Sequence, residues 1–270
     1  MIGENHYLIT NNALNEHLNG DALDFVASSN IDSDKIEEEN KYNIFKPYNA
    51  PQHFNKTTKE EGLEFLENAK EVVIDDLIEA SKTDDDDDLY KQALYDFGRL
   101  SHCIQDFYSH TNWINQTGGI VRVWNEDIIN PNIDNPDNLK TTDYSWFSQL
   151  LDKINPFFKM YAESHYDSLY EGSSKTSHYT MNKDEKGSLA DVLFEKNEGV
   201  SGFNLALEDS MLHTEQKWEE VLNEAKDEIT NEEYNNLIQN LEDFEIDEDE
   251  FDENKETYRK NFEEDMDELN

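Results

Sequence analysis

At 270 residues the chain can build one large domain or two small ones with ample core. Its 63 acidic and 22 basic side chains leave a formal net charge of −41, which argues against nucleic acid or an anionic membrane as a partner held by charge and leaves at most transient membrane contact. Hydrophobic residues make up only 36 % of the chain, but 14 Phe, 13 Tyr and 4 Trp supply bulky core material.

Cys103 is the only cysteine, so an intrachain disulfide and a thiolate cluster are both excluded. The N-terminal MIGENHYLITNNAL lacks a basic region followed by an apolar run and does not read as a signal peptide. No stretch approaches the roughly 18 apolar residues of a transmembrane helix. As written, the chain is expected to be soluble and cytoplasmic; a trimmed N-terminus would fit secretion equally.

Taken in order, residues 6–28 carry apolar positions at helical spacing (Leu14, Leu18, Phe25, Val26). This predicts a first helix ending near Ser28–Asn30, or broken at Gly20. Residues 32–55 read as irregular, with Pro47, Pro51 and many Asn. They hold the acidic triplet Glu37-Glu38-Glu39 and then His53. Residues 58–82 predict a helix with a Thr cap, acids in its first turn, and a stripe formed by Leu63, Leu66, Ala69, Val73 and Leu77. The acidic run 84–88 reads as a loop and helix start. A second helix follows over 89–110, making an antiparallel hairpin with the first.

Residues 111–155 are loop-rich, with Gly118-Gly119, Pro131 and Pro136. They read equally as the wall of a substrate cleft or as a surface excursion pinned by tryptophans. Residues 157–170 predict a helix, 171–202 a polar connection containing His178, 203–229 a strong helix, and 232–241 a shorter one. Residues 1–240 are read as the folded domain. The acidic residues 241–270 are read as a marginal helix or disordered tail. No internal repeat is visible, and the fold class is all-α.

The stretch 94–113, LYDFGRLSHCIQDFYSHTNW, carries His102, Asp106 and His110 at four-residue spacing within the segment read as helix. Each four-residue step turns about 40°, so His102 and Asp106 share a face, with His110 a further turn along. Imidazoles and a carboxylate gathered this way suit a divalent metal, zinc first among candidates. The spacing suggests more than one ion, with His102 and Asp106 at the first and His110 at another.

FGRLSHCIQDFYSHTNW resembles the zinc-dependent phospholipase C superfamily, which includes the single-strand-specific zinc nucleases, and most closely its Het-C-like heterokaryon-incompatibility branch. The resemblance spans residues 6–225 at most. It implies a phospholipase C-like helical bundle with long irregular loops around a metal cleft of two or three zinc ions. His6 in NHYLITNNAL is similar to the family's early His, and EEENKY followed by QHF to its acidic ligand and His-Phe pair. SHYTMNKD is similar to a loop that brings in His178.

The resemblance implies that His53, His102, Asp106 and Glu37 or Glu38 hold a first zinc. Asp106 would bridge to a second on His6, and His110 and Glu208 would hold a third. GFNLALE matches a family motif except that Asn204 stands at the His position, which leaves the third site empty or completed by His178 or His213. Asp106, Glu37 and Glu38 are then the carboxylates that could serve as base.

The implied function is a metal-dependent phosphoric diester hydrolase of phospholipase C type, acting on a phosphodiester such as a phospholipid headgroup. Two other readings stand beside it. One is a non-catalytic Het-C-like interaction or toxin-related module with structural metal. The other is a single-strand nuclease, disfavoured by the charge.

Overall fold

The computed structural model describes residues 3–40, 51–54, 58–83, 87–117, 123, 139, 141–143, 175–177, 183–246 and 250–269. The fold is all-α. Its described helices are α1 (Gly3–Leu14), α2 (Gly20–Asn40), α3 (Lys59–Ser81), α4 (Asp87–His110), α5 (Trp113–Thr117), α6 (Leu189–Glu198), α7 (Gly202–Glu228), α8 (Asn231–Glu242) and α9 (Glu250–Leu269). A 3-10 turn spans Pro51–His53, and two three-residue strands, β1 (Thr141–Asp143) and β2 (Lys175–Ser177), pair in parallel. Among the described residues no helix is long and apolar enough to cross a membrane.

The chain divides into two compact units. One comprises Met1–Asn5, Tyr48–Glu64 and Cys103–His213; the other comprises His6–Pro47, Phe65–His102 and Thr214–Asn270. The helix expected over 157–170 lies outside the described residues.

In the second unit, the expected first helix is two helices. Asn19 caps the start of α2, its Oδ1 accepting from Ala22 N at 2.8 Å, while its Nδ2 donates to the carbonyls of Glu242 and Phe244. Beyond Asn30, where the apolar spacing stops, α2 continues to Asn40. Its inward face there is polar: Ser29, Asn30, Asp32 and Ser33 are all fully buried. Gly98 makes the neighbouring contact possible, because a β-carbon at that position would collide with the Ser29 side chain and with the carbonyl of Val26. The approach brings Ser29 Oγ to the carbonyl of Tyr95, to which it donates.

The acidic C-terminal stretch forms α9, with Tyr258, Phe262 and Met266 buried at four-residue spacing. Tyr258 joins Phe251 and Phe244 edge-on around Phe25, at centroid distances of 5.8, 5.2 and 5.8 Å respectively. Arg259 Nε and Nη2 form a bidentate pair with Asp32 at 2.7 and 2.6 Å, and Tyr95 Oη donates to Asp32 Oδ2 at 2.9 Å. This buried pair is why the stretch folds despite its charge: the helix's aromatic face and one guanidinium meet what α2 buries. Deeper between α3 and α4, Asp76 and Asp96 are hydrogen-bonded carboxyls. Gln92 Nε2 donates to both Asp96 oxygens, at 2.9 and 3.0 Å, and to the carbonyl of Tyr258 at 3.1 Å.

In the first unit, Phe107 gathers Phe54, Tyr108 and Trp113. Thr58 opens α3 with a capping box: Glu61 N donates to Thr58 Oγ1, and Thr58 N to Glu61 Oε2. The polar connection expected over 171–202 contains α6, capped by Ser188 and ended by the left-handed Gly199. Asp191 accepts from Gly187 N, Ser201 Oγ and Phe203 N, tying the turn before α6 to the start of α7.

Two outcomes follow. Arg259→Ala leaves Asp32 as an uncompensated buried charge and should cost roughly 3–5 kcal/mol in urea denaturation. Burial pushes the Asp76 carboxyl up to about 6, with Asp265, Glu79 and Asp75 adding to the rise, and pushes Asp96 well above the carboxylate range with Asp76 beside it. Groups raised in the folded state stabilise below their unfolded value and lose that contribution as pH rises through the folded one. Chemical denaturation should therefore show stability growing as pH falls from about 7.5 toward 5, with a shallower dependence in Asp96→Asn.

Candidate metal centre

Three side chains converge in the second unit: His6 from α1, Asp34 from α2 and His102 from α4. His102 Nε2 lies 3.8 Å from Asp34 Oδ1, and His6 Nε2 lies 3.9 Å from Asp34 Oδ2. The imidazoles stack at 4.3 Å with 26° between their planes, and each presents a ligand nitrogen within 4.8 Å of the other. Both rings are fully buried, whereas the Asp34 side chain is 29 % exposed. The centre is closed on its imidazole side and open to water at the carboxylate.

The donor set fits a divalent ion. Two ligand atoms about 2.1 Å from a tetrahedral zinc stand roughly 3.4 Å apart. The separations here are a few tenths of an ångström longer and run to different oxygens of Asp34, so the three side chains share one ion only if both of its oxygens take part. Two imidazoles and one carboxylate form a set that zinc and other borderline metals accept, with coordination positions left over for water. His6, Asp34 and His102 could hold the ion.

A second group lies in the first unit. His53 Nδ1 donates to Asp106 Oδ2 at 2.8 Å, and its Nε2 accepts from Gln52 Nε2 at 2.7 Å. His110 Nδ1 donates to the carbonyl of His53 at 2.8 Å, and its Nε2 donates to Asp184 Oδ1 at 3.0 Å. With acceptors at both nitrogens, His110 is an imidazolium. Burial opposes its charge, but the carboxylates of Asp106 and Asp184 outweigh burial and raise it to about 9. In this arrangement it has no lone pair to give a metal, and it ties the end of α4 to the 3-10 turn and to the Asp184 loop. Beside it, burial brings the Lys183 ammonium down to about 7 against the pull of Asp184 and Asp191.

The other expected ligands are placed as follows. Glu37 and Glu38 lie at the end of α2, but their side chains are outside the described residues, as is His178. Asn204 and Glu208 sit on the exposed side of α7, while Phe203, Leu205, Ala206 and Asp209 face inward. His110 meets Asp184 where Glu208 was expected. His213 is buried with Nδ1 2.8 Å from Tyr108 Oη.

Asp34 and Asp184 escaped the sequence reading. Asp34 falls just past the expected end of the first helix; had that helix been extended, Asn30 and Asp34 would have stood one turn apart on a single face. Asp184 is the last residue of SHYTMNKD, with nothing in its spacing to set it apart.

The chain matches a family described as the VWA7 N-terminal domain over residues 13–143, just under half its length. No curated protein and no solved structure matches it. This family match overturns the resemblance to the zinc-dependent phospholipase C superfamily and its Het-C-like branch: short ligand-type motifs in similar order imitated a family to which the match does not point. The matched stretch includes Asn30, Asp34, His53, His102, Asp106 and His110, and begins after His6.

Asp184→Asn removes one of the two carboxylates that hold the proton on His110. In histidine NMR titrations the His110 midpoint should fall from about 9 toward its ordinary value, with Asp106 retaining part of the rise.

Proposed function

We propose that the chain is a divalent-metal protein, zinc first among candidates, with His6, Asp34 and His102 as ligands, and that it hydrolyses a phosphoric diester. The observation that carries the reading is a half-open trio of two buried imidazoles and a carboxylate whose ligand atoms face one another at 3.8 and 3.9 Å. A divalent ion there supplies Lewis acidity and an acidified water near neutral pH. The two buried rings fix its position, and the exposed edge of Asp34 admits water and substrate. Glu37 and Glu38, one turn beyond Asp34 on α2, are the proposed sources of a general base. The charge of −41 favours a small or zwitterionic phosphoester, a phospholipid headgroup included, over a nucleic acid strand, and limits bilayer contact to the transient.

A second reading is a non-catalytic interaction module in which the metal is structural. Complete burial of both imidazoles favours it, since closed sites contribute mainly to folding.

Metal analysis and phosphodiester turnover on wild type, His102→Ala and Asp34→Ala separate the readings. The hydrolase reading expects bound metal and chelator-sensitive turnover, both lost in each variant. Metal retained in full by both variants would sink the site. Tight binding without turnover of any phosphodiester, combined with a large fall in melting temperature on chelation, would establish the structural module instead.

A further inference from the structure

Resting on the ligand reading above, we infer that Asn30 is a positioning residue that fixes the tautomer of His102 and aims its Nε2 at the metal position before any metal arrives. His102 Nδ1 lies 3.1 Å from Asn30 Oδ1. The orientation of that amide follows from its other partners. Asn30 Nδ2 reaches Ser101 Oγ at 2.9 Å and Thr10 Oγ1 at 3.1 Å. Ser101 Oγ gives its own proton to the carbonyl of Gly98, at 2.9 Å, so toward Asn30 it can only accept. The end of the amide facing Ser101 is therefore the NH2 group, whose two protons serve Ser101 and Thr10. The oxygen is left for His102.

An amide oxygen cannot donate, so the proton of a neutral His102 sits on Nδ1. Its Nε2 then carries the lone pair, on the side facing Asp34. Thr10, Asn30, Ser101 and His102 are all fully buried, so water does not compete for these bonds. Three helices contribute: Thr10 from α1, Asn30 from α2, and Ser101 with His102 from α4. The device holds the ring's rotation and its protonation at once, as outer-shell acceptors do for metal-bound imidazoles.

The test uses the full chain with zinc as the probe, in wild type, Asn30→Ala, Asn30→Asp and His102→Ala. Asn30→Ala should weaken zinc binding about 10–100-fold. Asn30→Asp, which keeps an acceptor toward Nδ1, should restore affinity to within a few-fold of wild type. Histidine 15N shifts of the metal-free proteins give an independent readout. Wild type and Asn30→Asp should show the Nδ1–H form of His102, and Asn30→Ala a mixture of tautomers.

Unchanged zinc affinity in Asn30→Ala overturns the inference, as does a wild-type His102 in the Nε2–H form. Failure of Asn30→Asp to restore binding also overturns it. If wild-type protein binds no zinc, the ligand reading falls, and the 15N shifts still decide whether Asn30 sets the tautomer. A poorly folded Asn30→Ala variant leaves the decision to the wild-type shifts and the Asn30→Asp affinity.

Discussion

The close approach of α2 and α4 at Gly98 and Ser29 is the constraint on which the second unit depends. A side chain at Gly98 would meet Ser29 and the Val26 carbonyl, so these backbones come together only because that position carries none. From this contact the rest follows by helix register. One residue beyond Ser29, Asn30 reaches Ser101 and His102. Three beyond Ser29, Asp32 reaches Tyr95 and Arg259, and one turn past Asn30, Asp34 comes to His102. The inner face of α2 is thus polar along two turns, and each such group must find a partner on its neighbours because water cannot reach it. That requirement specifies the pairing of these helices more sharply than apolar contact could, since a shift of one residue would orphan several buried groups at once.

The acidic composition gains a structural meaning from the same unit. Among the described residues four aspartates are completely buried, and the three on α2 and α4 are handled differently. Asp32 is met by the Arg259 fork. Asp96 holds its proton, because burial and the Asp76 carboxyl make a second negative charge too costly. In the first unit Asp106 is served by the His53 imidazole, with His110 3.6 Å away. A chain this negative keeps its interior close to neutral by pairing, by protonation and by histidine.

Where a long apolar stripe is buried, as in α3, α4 and α7, the helix is legible in the sequence; the short α6, with Ala190, Leu193 and Phe194 buried, is not. The stripes of α3, α4 and α7 and the Thr cap of α3 stand where spacing and capping chemistry put them. Where the buried face is polar the signal vanishes: the apolar spacing of α2 stops near Asn30, whereas the helix runs to Asn40. The error carried into the site: His6 and His102 were visible by residue type, whereas Asp34 lay in what read as an irregular segment. In α9 the spacing of Tyr258, Phe262 and Met266 was present but outweighed by charge, because Arg259's partner lies more than two hundred positions away in the sequence. Asp184 was illegible for the same reason. Its meaning comes from His110, brought to it by tertiary folding alone.

The choice of an amide rather than a carboxylate behind His102 bears on what the centre could attract. A carboxylate at that position would raise the basicity of the imidazole more, but it would also add a second negative charge to a site that already contains Asp34. With Asn30 there, two neutral imidazoles and one carboxylate face the ion, so a divalent cation would leave that set with a net charge of about +1. In a protein with an overall charge of −41, such a buried positive spot beside a partly exposed carboxylate edge would be a local reversal of sign. Long-range repulsion would slow the approach of any anion, and more so at low salt. Within a few ångströms the unscreened cation would dominate, because interactions strengthen as the effective dielectric falls. If the proposed ligands hold an ion, such an arrangement would select against extended polyanions, which must lie along the acidic surface, and in favour of the single small phosphoester proposed above.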